Sequence, residues 1–137
     1  LAAACDLRIA TPRAQFAVPP AKLGLAYPVE AIGDIVSALG EQNAKAMLFT
    51  AERHSAQSIE TMGFLLEIVS EDQLSDRAEK LATQIADLAP LTHRATKAAI
   101  AGSKDCKTLA DATFESADYA EGRAAFKEKR LPNFLGR

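Results

Sequence analysis

Glu30 stands where a carboxylate could act as an acid or base. It follows the apolar passage Leu23, Leu25, Ala26 and Tyr27, and falls in the first turn of a helix expected from Val29. A carboxylate held against apolar groups loses hydration, which raises its pKa toward the range useful for proton transfer. The same position also suits a solvated glutamate whose charge faces the positive end of the helix dipole. Asp34, one turn further on, is equally placed to be the exposed partner, whereas Asp6 suits a turn or a cap. His54 and His93 form no i,i+4 pair and have no orienting neighbour, so both read as surface or structural residues. The chain contains no GxGxxG, P-loop, GxSxG or HExxH pattern, and no metal-ligand spacing, so no metal is expected.

A second group lies near the C-terminus. Lys127, Lys129 and Arg130 stand beside Phe126 and Phe134. Such a stretch serves as a solvated helix end whose cations complement the dipole. It also has the parts of an anion site, with Lys129 or Arg130 pairing a phosphate and Phe126 offering its face to a ring.

The elements that must position these residues divide at residue 69. Leu1 to Cys5, with no cap before it, reads as the latter part of a helix, so the chain is expected to be a fragment. Asp6–Ala10 and Ala14–Val18 read as short extended segments around a turn at Thr11-Pro12-Arg13, closed by Pro19-Pro20. After a loop from Ala21 to Pro28, helices are expected over Val29–Leu39, stopped by Gly40, then Gln42–Phe49, then Ala56–Met62 between Ser55 as N-cap and Gly63 as stop. Phe64–Val69 is extended. Beyond Ser70 the pattern is helical throughout. Ser70 and Gln73 have capping-box spacing, and Leu74, Ala78, Leu81, Ile85 and Leu88 then mark one face. Pro90 opens and Gly102 closes the next helix; another spans Cys106–Tyr119; the last starts at Asp118 with Glu121 three residues on. Two or three strands cannot bury this many helices, so more sheet, from an N-terminal half or partner subunits, is expected.

Composition sets the outer bounds. The 137 residues, 48% hydrophobic and 25% charged, describe an ordinary folded chain that hides about two-thirds of its unfolded surface. Sixteen basic against 18 acidic residues leave a net charge of -2, which gives no general field for a nucleic-acid backbone. No apolar run reaches bilayer length, so no membrane partner is expected. Cys5 and Cys106 read as reduced thiols of a cytoplasmic protein.

Four stretches in order resemble one family. Leu1 to Ala10 is similar to its "LAxACDxRIA" passage. Ala14-Gln15-Phe16-Ala17-Val18-Pro19 with Lys22-Leu23-Gly24-Leu25 is similar to "AxFxxPExxLGL". Ala44 to Thr50, Ser55-Ala56-Gln57 and Met62-Gly63-Phe64 follow a third, and Glu121 to Phe134 resembles the closing "EGxxAFxEKRxPxF". The family is the crotonase, or enoyl-CoA hydratase/isomerase, superfamily, matched over essentially the whole chain as its C-terminal half.

The resemblance implies an α/β fold: the C-terminal part of a crotonase-like (ClpP/crotonase) ββα spiral over 1–69, then an all-α region over 70–137 that serves oligomerisation and covers coenzyme A. It implies an acyl-CoA thioester as substrate, with coenzyme A part of that substrate and no separate cofactor. A homotrimer or hexamer is implied too. A thioester enolate would be held by an oxyanion hole whose two N–H donors lie upstream of Leu1, so the chain alone is expected to be inactive. Where hydratases of the family carry their second glutamate after a proline, this chain reads Pro19-Pro20. Hydration by two glutamates is thereby in question, and Glu30 becomes the candidate acid or base, with the Tyr27 hydroxyl an orienting group. Pro20, Leu25, Ala26, Tyr27, Phe126 and Lys129 are the candidate substrate-binding residues. The alternative within the family is an acyl-CoA-binding member without hydratase activity, Pro20 replacing the acid. Outside it stands an all-α interaction module with an incidental α/β start, which coenzyme A binding would discriminate.

Overall fold

The two proline-flanked segments near the N-terminus do become strands, but they do not pair with each other. In a computed structural model that describes residues 1–137, β1 (Ile9–Ala10) and β2 (Gln15–Phe16) lie on either side of the Pro12 turn and join different sheets. β1 runs parallel to β4 (Glu67–Ile68), with Ile9 opposite Glu67 and Ala10 opposite Ile68. β2 is antiparallel to β3 (His54–Ser55), with Phe16 opposite His54. A parallel pair needs a crossover, and here it includes two helices: α1 (Val29–Thr50) and α2 (Ala56–Thr61). The expected helical opening is a single 3-10 turn, Ala2–Ala4.

Local signals fix the helices of this part. Pro28 precedes α1, and Gly40, at φ 75° and ψ 160°, breaks it where the sequence places a stop. The Ser55 side chain accepts the Ser58 N–H at 3.2 Å to cap α2, and Gly63 ends it in the left-handed conformation. The inward residues Ile35, Leu39, Ala44 and Met47 of α1 meet Ala56 and Ile59 of α2 and the segment Phe64–Leu65 in one buried cluster. Arg8 ties the strands to it. Its Nε donates to the Phe64 carbonyl at 2.6 Å, its guanidinium lies 4.4 Å from the centre of the Phe64 ring, and Nη1 donates to the carbonyls of Ala2 and Cys5.

The chain forms two compact units, Leu1–Ala78 and Glu79–Arg137, which divide inside α3 (Leu74–Ala86). At Ser70 the capping box gives way to a simpler turn: Ser70 Oγ donates to Gln73 Oε1 at 2.8 Å, and the Gln73 N–H donates to the Ser70 carbonyl at 3.1 Å. The second unit continues with α4 (Pro90–Ile100), α5 (Cys106–Thr113) and α6 (Ala117–Glu128). The helix expected over Cys106–Tyr119 is thus interrupted after Thr113. Ser116, not Asp118, caps α6, its Oγ accepting the Tyr119 N–H at 3.0 Å. Ala95 and Ala125 are the buried apolar residues of this unit, and Asp118 is buried with them. No helix is long and apolar enough to cross a membrane.

Candidate functional site

The loop that carries Pro20, Leu25, Ala26, Tyr27 and Glu30 is a chain of tight turns in the first unit. Pro20–Leu23 is a 3-10 turn that ends on Gly24 at φ 68°, and the Leu25 N–H donates back to the Pro20 carbonyl at 3.3 Å. Pro20 is buried and Tyr27 packs half-buried against the core cluster. Leu23, Leu25 and Val29 turn outward, 72%, 55% and 79% exposed, and Ala26 is exposed with them. Glu30 is exposed in the first turn of α1. Within this chain, therefore, the apolar loop does not take Glu30 out of water. The loop offers a carboxylate beside an uncovered apolar rim. Tyr27 serves the core side of that rim.

Phe126 and Lys129 belong to the second unit. Phe126, 87% exposed, lines an open cleft of about 450 Å³ with Ala89, Leu91, Phe114, Tyr119 and Phe134. Phe114 and Tyr119 meet edge to face, centroids 5.7 Å apart, and the Arg123 guanidinium lies 5.6 Å from the Tyr119 ring centre at the cleft. Lys129 ends α6 at φ 56° and is exposed. Arg130 is not available as the phosphate partner: its Nη1 and Nη2 donate to the two carboxylate oxygens of Glu121 at 2.6 and 2.9 Å, and its Nε donates to Glu128 at 2.7 Å. The hydrogen bonds from Arg130 and from the Asn133 N–H hold the Glu121 carboxyl down at about 2.

Sequence reading misses Asp118. Its carboxylate accepts the N–H groups of Leu135 and Gly136 at 2.7 and 2.9 Å. The only local signal is the cap spacing of Asp118 and Glu121, which does not reveal that both carboxylates are used for the tail. His93 Nε2 lies 3.1 Å from the Ile85 carbonyl, a structural contact, and His54 sits opposite Phe16 in β3.

Residues 1–137 match the family model described as enoyl-CoA hydratase/isomerase. The chain belongs to that family. Among curated relatives of this enoyl-CoA hydratase/isomerase chain is methylmalonyl-CoA decarboxylase of Escherichia coli, 31% identical over 96% of the chain and 54% of the relative. Another is (E)-benzylidenesuccinyl-CoA hydratase of Thauera aromatica, 32% identical over 99% of the chain and 57% of the relative. The crystal structure of an enoyl-CoA hydratase/isomerase from Mycobacterium paratuberculosis superposes with a TM-score of 0.88 at 31% identity, covering 99% of this chain and 58% of that one. The enoyl-CoA hydratase of Bacillus anthracis gives 0.89 at 28% identity, covering 98% and 56%. The chain thus spans about half the length of the relatives it matches. The fold is crotonase-like, and a mostly helical chain with four short strands accords with the C-terminal part of it.

Proposed function

We propose that the protein carrying this chain acts on acyl-CoA thioesters by proton transfer at or near the α-carbon, with Glu30 as the acid or base. In the direction of proton removal, the Glu30 carboxylate takes the α-proton and the electron pair moves onto the thioester oxygen as an enolate. Two backbone N–H groups upstream of Leu1 stabilise that oxygen, because fixed donors aimed at growing charge lower the barrier most in a site closed to water. Return of the proton from Glu30 to a different carbon gives isomerisation. Coenzyme A enters as part of the substrate and no further cofactor is needed, with Phe126 and Lys129 offering an apolar face and a cation to its adenosine phosphate end. Pro20, Leu25, Ala26 and Tyr27 form the wall along the acyl group. We place the enzyme in the cytoplasm as a homotrimer or hexamer, and this chain alone without turnover.

The observation that carries the reading is the exposed Glu30 carboxylate at the first turn of α1, preceded along the chain by exposed Leu23, Leu25 and Val29, in a chain matched over its full length by the family. An uncovered apolar rim around a carboxylate is what a desolvated acid needs once substrate or further chain covers it.

A second reading is favoured by one residue. Pro20 is buried and carries no acid, so the chain lacks a carboxylate where hydratases of the family hold their second glutamate. On that reading the protein binds and processes acyl-CoA without adding water. The test is Glu30→Gln in the full-length protein, measured by exchange of the α-proton of butyryl-CoA in deuterated water and by hydration of crotonyl-CoA. Loss of general base catalysis lowers exchange by about 10²–10⁴-fold. Unchanged exchange removes Glu30 from the mechanism, and fast hydration removes the second reading.

A further inference from the structure

Residues 131–137 form no helix or strand, yet their backbone is tied to α6 at four points. Asp118, only 4% exposed, accepts the Leu135 N–H on Oδ1 at 2.7 Å and the Gly136 N–H on Oδ2 at 2.9 Å. The Asp118 N–H, one of the free donors in the first turn of α6, donates to the Arg137 carbonyl at 3.1 Å. Glu121 Oε1 accepts the Asn133 N–H at 2.9 Å. Two carboxylates of one helix therefore grip the returning backbone, and both are charge-assisted acceptors, the stronger kind of hydrogen bond.

Apolar burial contributes little to the same docking. Leu131 and Leu135 point outward, 90% and 59% exposed. The inward side chain is Phe134, whose ring passes close over Gly122: a Cβ added there would stand 3.5 Å from it. Phe134 is also part of the cleft that Phe126, Tyr119 and Leu91 line. Gly136 approaches Pro90 so closely that a Cβ would come within 3.1 Å of the proline ring. The tail thus supplies a wall of the cleft and is itself held mainly by polar contacts to α6. A segment with few buried apolar contacts and side-chain-dependent backbone bonds belongs to the low-stability end of local opening.

We propose that residues 131–137 are a releasable strap, latched by Asp118, that sets the width of the apolar cleft. Docked, the strap places Phe134 in the cleft wall; released, it leaves the cleft open along α6. Asp118 acts here as a positioning residue. The inference does not depend on the acyl-CoA reading, since it concerns only how the second unit closes its own cleft.

The experiment compares the 137-residue chain with its Asp118→Asn and Glu121→Gln variants by amide hydrogen exchange and by binding of the apolar dye anilinonaphthalene sulfonate. In the parent chain the Leu135 and Gly136 amides are protected. Asp118→Asn lowers their protection about tenfold or more, the loss expected for a charge-assisted bond, and raises dye binding while α4 and α5 keep their protection. Glu121→Gln frees the Asn133 amide and leaves Leu135 and Gly136 protected. Unprotected Leu135 and Gly136 amides in the parent chain, or dye binding unchanged in Asp118→Asn, overturn the proposal. A chain ending at Leu131 is measured alongside, in case Asp118→Asn disrupts the unit. Protected α4–α6 amides with raised dye binding in that shortened chain support a strap, and loss of α4–α6 protection makes the tail part of the core and overturns it.

Discussion

Glu121 and Arg130 are nine positions apart and form a two-pronged ion pair at the end of α6. The guanidinium and the Asn133 N–H favour the charged carboxylate, which is why its folded pKa falls to about 2. In the unfolded chain a glutamate titrates at about 4.3, so the folded state binds the proton less readily and the pair contributes its full stabilisation above that pH. The contribution is lost as pH falls from there through about 2. We expect the Asn133 amide resonance to follow this titration, with a midpoint near 2, and to lose the step in Glu121→Gln. A midpoint above 4 would show that the pair is not formed in solution. The same pair explains a limit of sequence reading at this scale. Arg130 beside Phe126 and Phe134 has the parts of a phosphate site, and only the three-dimensional return of the chain shows that Glu121 and Glu128 already occupy its donors. Glu30 shows the converse, since its place in the first turn of α1 was legible from Pro28 and the helical pattern. The loop's own residues leave it exposed.

At the scale of elements, the signals that worked were local. Gly40, Gly63 and Gly102 all take positive φ at helix ends, and Ser55 caps α2 as its position suggests. The signals that failed were those decided by distant residues. Strand β1 finds its partner β4 58 positions along the chain, Ile9 opposite Glu67 and Ala10 opposite Ile68, and nothing in Asp6–Ala10 encodes that choice. The N-cap of α6 is Ser116 and not Asp118, whose carboxylate accepts the Leu135 N–H instead. Gly40 allows a sharp test of the local logic. At φ 75° and ψ 160° it occupies a region open to glycine alone, which costs another residue about 1–3 kcal/mol, even though nothing lies within 4 Å of an added Cβ. Helix propensity alone points the other way, favouring alanine by about 1 kcal/mol in a continuous helix. The break in α1 is set by the core contacts of Leu39 and Ala44 on either side of it, so the strain prevails and Gly40→Ala should lower stability by about 1–3 kcal/mol in urea melts. A gain in stability would mean that α1 straightens through Gly40 when allowed to.

Across the whole molecule, the two units differ in what holds them. The first buries Ile35, Leu39, Met47, Ile59, Phe64 and Leu65 in one cluster, and each large aliphatic or aromatic side chain removed from water contributes about 1.5–3 kcal/mol. The second buries Ala95 and Ala125, which remove little apolar area, while Ile100, Phe114, Phe126 and Leu131 stay 66–90% exposed. Its helices rest instead on the Ser116 cap and the Phe114–Tyr119 contact. Those contacts are individually worth about 1 kcal/mol. Apolar burial should therefore separate the two units in stability, with 79–137 opening well below the free energy needed to open 1–78. Native-state hydrogen exchange in low urea reads this directly. Amides of α4, α5 and α6 should exchange through a common opening at lower free energy and smaller urea dependence than those of Ile35, Leu39 and Met47, since less surface is exposed. Equal opening energies and equal urea dependence across both sets would show one cooperative unit. In that case the polar contacts around α6 would have to supply what the second unit lacks in buried apolar surface.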